Sequence, residues 1–517
     1  MPQNRAVLPY NGASMKTEIL SANGSRLCDR FAVENGVTSQ SLMNKAGQAI
    51  AAAIRDRWAA RPTLVLAGPG NNGGDGLIAA AELRKAGWPV RVVLFADPDE
   101  LSGDAAWALT VWGTKVDLPT SVVPTDSGLV VDALFGAGLS RPVEGVTAQW
   151  LERIEQWQVP VVAADLPSGV GGDARPLDGP AVKADLTVTF HRRKPAHLIE
   201  PFTGWCGEIV CADIGIPDGW DAVAKPVAHE VRPPDWPAAR RPNETVHKHQ
   251  RGRVAVFSGG ATSTGAARLA ARASLRAGTG LVTVCSPPSA ALVNASQLSA
   301  VMLARWEGGD DTARLLGALR CQAAVLGPAM GVGAATRKAV LSALSTGIPL
   351  VLDADALTSF EADPDRLFEA LHGKCVLTPH GGEHARLFGK EGQSGSKLDL
   401  AVSAADRAGC TVLLKGAASI IAAPDEMPVI NRHSGAALAT AGSGDVLAGI
   451  IAAGLAAGLS PHHAAAGAAW LHGDAGLRLG AGLVAEDLPE ALPSVLQALR
   501  RRFSREAMHA HLLAHGN

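Results

Sequence analysis

Thr63 to Gly76 reads TLVLAGPGNNGGDG, an apolar run and a Gly-rich turn that lead into the helix-forming stretch LIAAAELRKAG. Backbone amides and a helix N-terminus meet at that turn, which makes it an anion site by geometry. Gly68, Gly70 and Gly73 satisfy G-x-G-x-x-G, and Asp97 follows the next strand. That pattern fits a dinucleotide fingerprint, and equally a tight turn that needs positive φ. A glycine fingerprint has no use for side-chain oxygens, so Asn71, Asn72 and Asp75 point to a cation or a polar ligand. Two later strand ends carry oxygens in the same way: VVDALFGAGLSRP has Asp132 before a Gly-rich loop, and VVAADLPSGV has Asp165 and Ser168 after a strand. One acid at a strand end is usually a helix cap. Three such segments at the carboxyl edge of one parallel sheet make a site.

In the second half, the small-residue loop AGSGD ends at Asp445 and feeds an apolar helix expected to begin near Val446. Amides of Gly442, Ser443 and Gly444 would form an anion hole there, with Asp445 set to act on a hydroxyl. This is phosphoryl-transfer geometry, although an acid in a first helical turn can also serve only the helix dipole. His380, after Pro379, reads either as a turn histidine or as a ligand contact. Lys194 reads as a phosphate contact, a surface lysine or a proton carrier.

The elements that must position these groups alternate short Val/Leu/Ile runs with Ala-rich helices, the pattern of βα units building parallel sheets. One series has strands expected at 63–67, 90–96, 129–134, 159–164, 186–190 and 208–212, with helices at 79–86 and 105–112. A second has strands at 253–257, 281–285, 323–326, 349–352, 374–377, 411–414 and 419–422, followed by long helices. Between them Pro233, Pro234, Pro237 and Pro242 mark a linker. The expected domains are therefore 15–225 and 245–500, joined by 226–244. The two series share no motifs and are not a duplication.

A chain of 517 residues with 47% hydrophobic composition is long enough for two large domains. Lys+Arg 47 against Asp+Glu 49 leaves a charge of −2, which gives no general pull toward nucleic acid or an anionic membrane. Cysteines 28, 206, 211, 285, 321, 375 and 410 are odd in number and scattered without C-x-x-C, and are expected as reduced core residues. The first twenty residues lack a signal-peptide apolar run, and no apolar stretch reaches about 18 residues, so a cytoplasmic protein without a membrane anchor is expected. A homo-oligomer is compatible with this sequence. The basic residues Arg500 to Arg502 and the histidines 509, 511 and 515 read as a solvated helix end.

NNGGDG, DALFGAGLSRP, DLPSGV, ADLTVTFHRRKPAH and GEIVCADIGIP, in this order over about residues 15 to 220, resemble the YjeF N-terminal family of NAD(P)H-hydrate epimerases. The resemblance implies a Rossmann-like three-layer α/β domain that interconverts the R and S forms of hydrated NADH and NADPH. It also implies a potassium ion (K+) held by Asn72, Asp132 and Ser168. The hydrated dinucleotide would meet Asn71, Asn72, Gly73, Gly74 and Asp75 on one loop. On the next it would meet Gly136, Ala137, Gly138, Leu139, Ser140, Arg141 and Pro142, with Asp165 beyond. Asp165 is the candidate for proton transfer, with Lys194 behind it. The early helix departs from the family, reading LMNKAG where LMENAG is more usual.

AGSGD resembles the anion-hole loop of the ribokinase superfamily. HKHQRGRVAVFSGG, DADAL, LTPHGGEHARLFG and LLKGAASII narrow that to its ADP/ATP-dependent NAD(P)H-hydrate dehydratases, over about residues 245 to 495. This implies a ribokinase-like three-layer α/β domain. The nucleotide would lie against Lys415, Gly416, Ala417, Ala418, Ser419 and Gly444, and the hydrated dinucleotide against Ala266, Gly331, His380 and Asp445, with Asp445 as catalytic base. Mg2+ is expected with ADP or ATP, ADP being favoured, although the sequence displays no acidic metal cluster. GPAMG departs from the usual GPGLG, with Ala329 in a glycine position, and RHSGAALA stands where Asn-Pro is more common. Two other readings stand beside this one: a small-molecule kinase that releases its phosphorylated product, and a first domain that only binds nucleotides or partners.

Overall fold

The computed structural model describes residues 16–120, 127–239, 248–389 and 395–515, with side chains as far as Ser504. Among them, one unit holds residues up to Gly172, then Gly179–Lys194 and Cys206–His229. The other holds Asp173–Asp178, Pro195–Trp205 and the chain from Glu230 onward. Two stretches expected in the first domain are thus built into the second unit.

The first unit is organised on six parallel strands: β1 (Thr63–Ala67), β2 (Val90–Leu94), β3 (Leu129–Ala133), β4 (Val161–Ala164), β5 (Leu186–Phe190) and β6 (Glu208–Ala212). Their order is β2-β1-β3-β4-β5-β6. Leu64, Val65, Leu66 and Ala67 are all fully buried, because both faces of the sheet are covered and apolar runs need not alternate. Val65 and Ala67 face the helices Ser39–Arg55, Asn71–Lys85 and Gly103–Trp112. Leu64 and Leu66 face Trp150, Leu151 and Ile154 of Gly145–Gln156. That makes three layers. The chain reverses its walk across the sheet between β1 and β3, which opens a crevice outside their carboxyl ends.

The second unit contains β7 (Arg253–Phe257), β8 (Leu281–Ser286), β9 (Met302–Arg305), β10 (Ala323–Leu326), β11 (Leu350–Leu352), β12 (Cys375–Leu377), β13 (Thr411–Leu414), β14 (Ser419–Ala422) and β15 (Val429–Asn431). They are ordered β15-β14-β13-β12-β11-β10-β7-β8-β9. Only β14 runs against the others, pairing antiparallel with both β13 and β15. Gly265–Arg276, Ser443–Ala456, Pro461–Leu479 and Asp487–His515 pack one face, through Val351, Val376, Leu413 and Ile421. Lys397–Ala408 packs on β13 and β14, with its own apolar residues outside that cluster, and so covers the other face. The switch point here lies between β7 and β10.

Several expectations need correction. Helices begin earlier than the apolar pattern suggested, at Asn71 and Gly103 in the first unit and at Ser443 in the second, because glycines and asparagines complete their first turns. Four strands among the described residues were not foreseen, Glu18–Ile19, Ala228–Glu230, β9 and β15, all of them short. The Pro-rich stretch is packed as well as connecting: Trp236 is buried and its Nε1 donates to Ala277 O at 2.8 Å. Near the start, Ile19 pairs with Ala228 and Glu18 with His229. Cys211 is exposed and Cys321 half-buried, so those two are not core residues. No helix among the described residues is long and apolar enough to cross a membrane. The first fifteen residues, Pro242 and the side chains of His509, His511 and His515 lie outside the described residues.

Candidate functional sites

Outside the carboxyl ends of β1, β3, β4 and β5 lies a cavity of about 670 Å³. Its lining includes Asn71, Asn72, Asp75, Gly136, Ala137, Gly138, Leu139, Ser140, Arg141, Asp165 and Lys194. The loops after β1 and β3 touch directly: a Cβ on Gly68 would fall 2.1 Å from Leu134 O, which is why a glycine ends β1. Gly73 and Gly74 do not line the cavity, since Gly73 lies against the backbone of Gly68 and Gly74 against the thioether of Met43. Pro142 also lies outside the lining, beside Gly179.

Asp165 sits just past β4 at φ +63, a left-handed conformation that a side chain enters at a cost. Its Oδ1 accepts from Lys194 Nζ at 2.7 Å and Thr189 Oγ1 at 2.8 Å, and its Oδ2 from the Ala137 amide at 2.9 Å. Lys194 Nζ also donates to Thr189 Oγ1 at 2.9 Å. Two more carboxyls share this charge environment. Burial pushes Asp75 well above the ordinary carboxyl range, helped by Asp165 and Asp29 and opposed by Lys194. Asp29 is pushed up to about 6, by burial and Asp165 against the pull of Lys194. The site therefore holds three acids around one ammonium, two of them retaining protons toward neutral pH.

Asp132 and Ser168 are fully buried and do not line the cavity. Ser168 donates to Asp132 from its amide and from Oγ, each at 2.7 Å, and the Leu134 amide adds a 3.3 Å contact. Burial raises the Asp132 carboxyl to about 6, and these hydrogen bonds are what oppose it. Asn72 Oδ1 and Asp165 Oδ2 both flank Gly136, and Asn72 Nδ2 is buried without a hydrogen-bond partner. Hard oxygens around a buried carboxylate balanced by hydrogen bonds suit a monovalent cation.

In the second unit the helix Ser443–Ala456 starts behind Gly442, at φ +85 with no side-chain cap. Asp445 lies in its first turn. Burial raises its carboxyl to about 7, with Asp353 and Asp355 adding to the rise and Lys415 opposing it. Lys415 Nζ bonds Asp353 Oδ1 at 2.7 Å and lies 3.9 Å from Glu383 Oε2. Burial alone would lower the Lys415 pKa, but Asp353, Glu383 and Asp445 more than offset it. Gly444 lies beside both partners, a Cβ there falling 3.6 Å from Lys415 Nζ and 3.8 Å from Asp353 Oδ2. Ser443 Oγ meets the buried His472 Nε2 at 3.0 Å and anchors the helix start.

The other expected contacts surround this centre. His380 caps Gly381–Phe388 through Nδ1, and its amide donates to Glu383 Oε2 at 2.8 Å. The Gly331 amide donates to Asp355 Oδ2 at 2.8 Å. Ala266 lies in the first turn of Gly265–Arg276, whose Leu269 packs on Gly442. Gly416, Ala417, Ala418 and Ser419 form the turn from β13 to β14; Ala418 is buried, and its amide and carbonyl are both held by side chains. Ala329 adopts φ +56, and its carbonyl fills the space a Cβ on Gly259 would need.

The sequence reading did not assign Asp29, Thr189, Asp353, Asp355 or Glu383. DADAL and the H-x-x-E spacing of His380 and Glu383 were visible signals for the last three, whereas nothing marked Asp29. Asp353, Glu383 and Asp445 gather around Lys415. A separate group, Glu426, His462 and His463, lies in and beside the first turn of Pro461–Leu479, where the helix dipole disfavours a cation. There His462 Nδ1 is 3.2 Å from Glu426 Oε2, an ion-pair distance.

A family model described as NAD(P)H-hydrate dehydratase matches residues 254–497, and one described as YjeF-related protein N-terminus matches 39–196. The bifunctional NAD(P)H-hydrate repair enzyme Nnr of Moorella thermoacetica is 36% identical over 505 residues, covering 91% of this chain and 95% of that protein. That of Salinibacter ruber is 34% identical over 522 residues, covering 92% and 96%. Among solved structures, the ADP/ATP-dependent NAD(P)H-hydrate dehydratase from Bacillus subtilis, co-crystallized with ATP/Mg2+, is 26% identical with a TM-score of 0.44. It covers 52% of this chain and 98% of its own.

Proposed function

Since the chain belongs to the family of bifunctional NAD(P)H-hydrate repair enzymes, we propose that it restores hydrated NADH and NADPH by epimerisation at the Asp165 site and nucleotide-driven dehydration at the Asp445 site. The observation that carries this reading is Asp445 itself, raised to about 7 in the first turn of an uncapped helix, beside the Lys415–Asp353 pair.

Hydroxide is a poor leaving group from the hydrated ring near neutral pH, and phosphorylation converts it to phosphate. Asp445 takes the hydroxyl proton as the terminal phosphoryl group of ADP moves to the ring oxygen, leaving AMP. The amides at the start of Ser443–Ala456 face the negative charge of the transfer, and Lys415 supports it. Phosphate then departs with the C–O bond electrons, pushed by the ring nitrogen lone pair to leave an iminium, and loss of a proton from the neighbouring ring carbon restores the dihydropyridine. Mg2+ enters as part of the nucleotide substrate, whose contacts we assign to Lys415–Ser419 and Gly444. ATP can take the place of ADP in the same geometry.

In the epimerase, Asp165 accepts a proton at the hydrated carbon and Asp75, which burial keeps protonated, returns one. Asn72, Asp132 and Ser168 would hold potassium, whose charge would steady the buried Asp132 beneath the substrate loops. Both activities need only small-molecule partners, and we place them in the cytoplasm. The test is recovery of the near-ultraviolet NADH band from mixed epimers with ADP, ATP or no nucleotide. Nucleotide-dependent recovery of the whole mixture at an enzyme-driven rate is expected. Rapid recovery of one epimer's share alone would remove the epimerase, and no recovery would favour a kinase that keeps its phosphorylated product.

A further inference from the structure

The turn Lys415–Ser419 is held from outside by side chains distant in sequence, one of them from the first half of the chain. The segment Pro195–Trp205 belongs to the same unit as this turn, and Glu200 Oε2 in it accepts from the Ala418 amide at 3.0 Å. From the other side Lys397 Nζ donates to Ala418 O at 2.6 Å. One buried residue is thereby gripped through both its backbone polar groups by side chains of opposite charge, and such charge-assisted hydrogen bonds are about twice as strong as neutral ones. Lys397 also lies over Gly416, where a Cβ would come within 2.1 Å of its Nζ. Burial lowers the Lys397 pKa while Glu200 opposes the loss of charge, so the two sides of the grip support each other.

The surroundings fix both grips. Arg432 Nη1 donates to His197 O at 3.2 Å, within Pro195–Trp205. Arg175 pairs at 3.2 Å with Asp399, which completes the capping box of the helix that begins at Lys397. Ser434 Oγ holds Ala417 O at 2.9 Å. None of these groups is one of the turn's own side chains, and none is needed to close a turn between antiparallel strands.

We propose that Glu200 is a positioning residue for nucleotide binding: it sets Ala418 so that Lys415–Ser419 presents one fixed shape to ADP or ATP. The inference rests on the assignment of that turn to the nucleotide. It makes the dehydratase site depend on a residue six positions beyond the epimerase lysine Lys194 in the sequence.

The test uses the full chain carrying Glu200→Ala or Glu200→Gln, with hydrated NADH saturating, ADP varied, and epimerisation by the same preparation as the folding control. Glu200→Ala is expected to raise the KM for ADP about tenfold with kcat within about twofold, a change of ~1.4 kcal/mol in binding. Glu200→Gln keeps an acceptor oxygen and should recover most of the loss, which a role in bulk stability would not predict. Lys397→Met, removing the opposite grip, should raise the same KM. An unchanged KM for Glu200→Ala, or a fall in kcat at constant KM, would overturn the proposal. Hydrogen exchange of wild-type amides 416–419 with and without ADP separates the two levels. Protection there with an unchanged Glu200→Ala KM sinks Glu200 alone, whereas no protection sinks the nucleotide assignment and the inference with it.

Discussion

Replacing Asp445 with Asn should make the protein more stable as it becomes inactive, and the size of the effect follows from the site. The carboxyl titrates at 3.8 when unexceptional and at about 7 in the folded chain, because burial and Asp353 work against its charge. A raised carboxyl contributes stability that is fully present below the unfolded value and is lost as pH rises through the folded one. The rise amounts to up to about 4 kcal/mol at ~1.36 kcal/mol per pH unit, of which about 2.6 kcal/mol is lost between about pH 5 and about pH 8. Asn has the same shape and no such titration, while Asp29, Asp75 and Asp132 titrate alike in both proteins and cancel. The advantage of Asp445→Asn should therefore grow by about 2–3 kcal/mol over that range. Urea unfolding without nucleotide measures it, following the transition that ADP shifts in the wild type, since only that one reports the nucleotide-binding unit. Dehydration should fall by about 10²–10⁴, the usual contribution of a general base, and the wild-type rate should rise with pH through about 7. A stability difference that is flat from pH 5 to pH 8 would refute the electrostatic argument for Asp445 as the base.

Two further changes test other parts of the structure. Lys194→Met removes the ammonium bonded to Asp165 Oδ1, and should abolish epimerisation and cost about 3–5 kcal/mol in unfolding experiments; a variant as stable as the wild type would mean the pair is not buried as described. Ala329→Gly relieves the left-handed φ of +56 and should raise stability by about 0.5–1 kcal/mol after the extra unfolded-state entropy of glycine, and a lower urea midpoint would contradict the strain.

The parts of the two sites that were legible in the sequence lie at the carboxyl ends of buried parallel strands. Thr63–Ala67, Leu186–Phe190 and Thr411–Leu414 read as apolar runs because both their faces are covered, and glycines mark the turns where ligand-facing residues follow. Two of the short strands gave no such signal. Met302–Arg305 is largely exposed and Val429–Asn431 has three residues after a proline, so neither shows a period. Residues that act by reaching across the fold were also hidden. Asp353 stands in a recognisable DADAL stretch, yet its bond to Lys415 spans 62 positions, and no spacing rule connects them. Glu200 and Ala418 are 218 apart. Asp29 lies on the helix Ala22–Glu34, whose sequence carries no glycine loop or strand end to mark it as chemical.

Both sites place a lysine against an aspartate beyond a parallel strand, Lys194 with Asp165 and Lys415 with Asp353, and the two differ in what the pair leaves over. In the first, ammonium, hydroxyl and amide all converge on Asp165, and the protons that remain near neutrality are on Asp75 and Asp29. Inverting a centre by proton exchange takes one proton and returns another, so carboxyls raised by burial beside a hydrogen-bonded one suit it. In the second, the pair is occupied with itself and a separate acid, Asp445, is held between protonation states beside it. Dehydration by way of a phosphate ester takes the hydroxyl proton first, and the anion that then leaves needs no acid, so one poised carboxyl at a helix start suits the phosphoryl transfer. The two sites thus share a strand-end lysine–aspartate pair and differ in which neighbouring acids are raised toward neutrality, Asp75 and Asp29 in the first and Asp445 in the second.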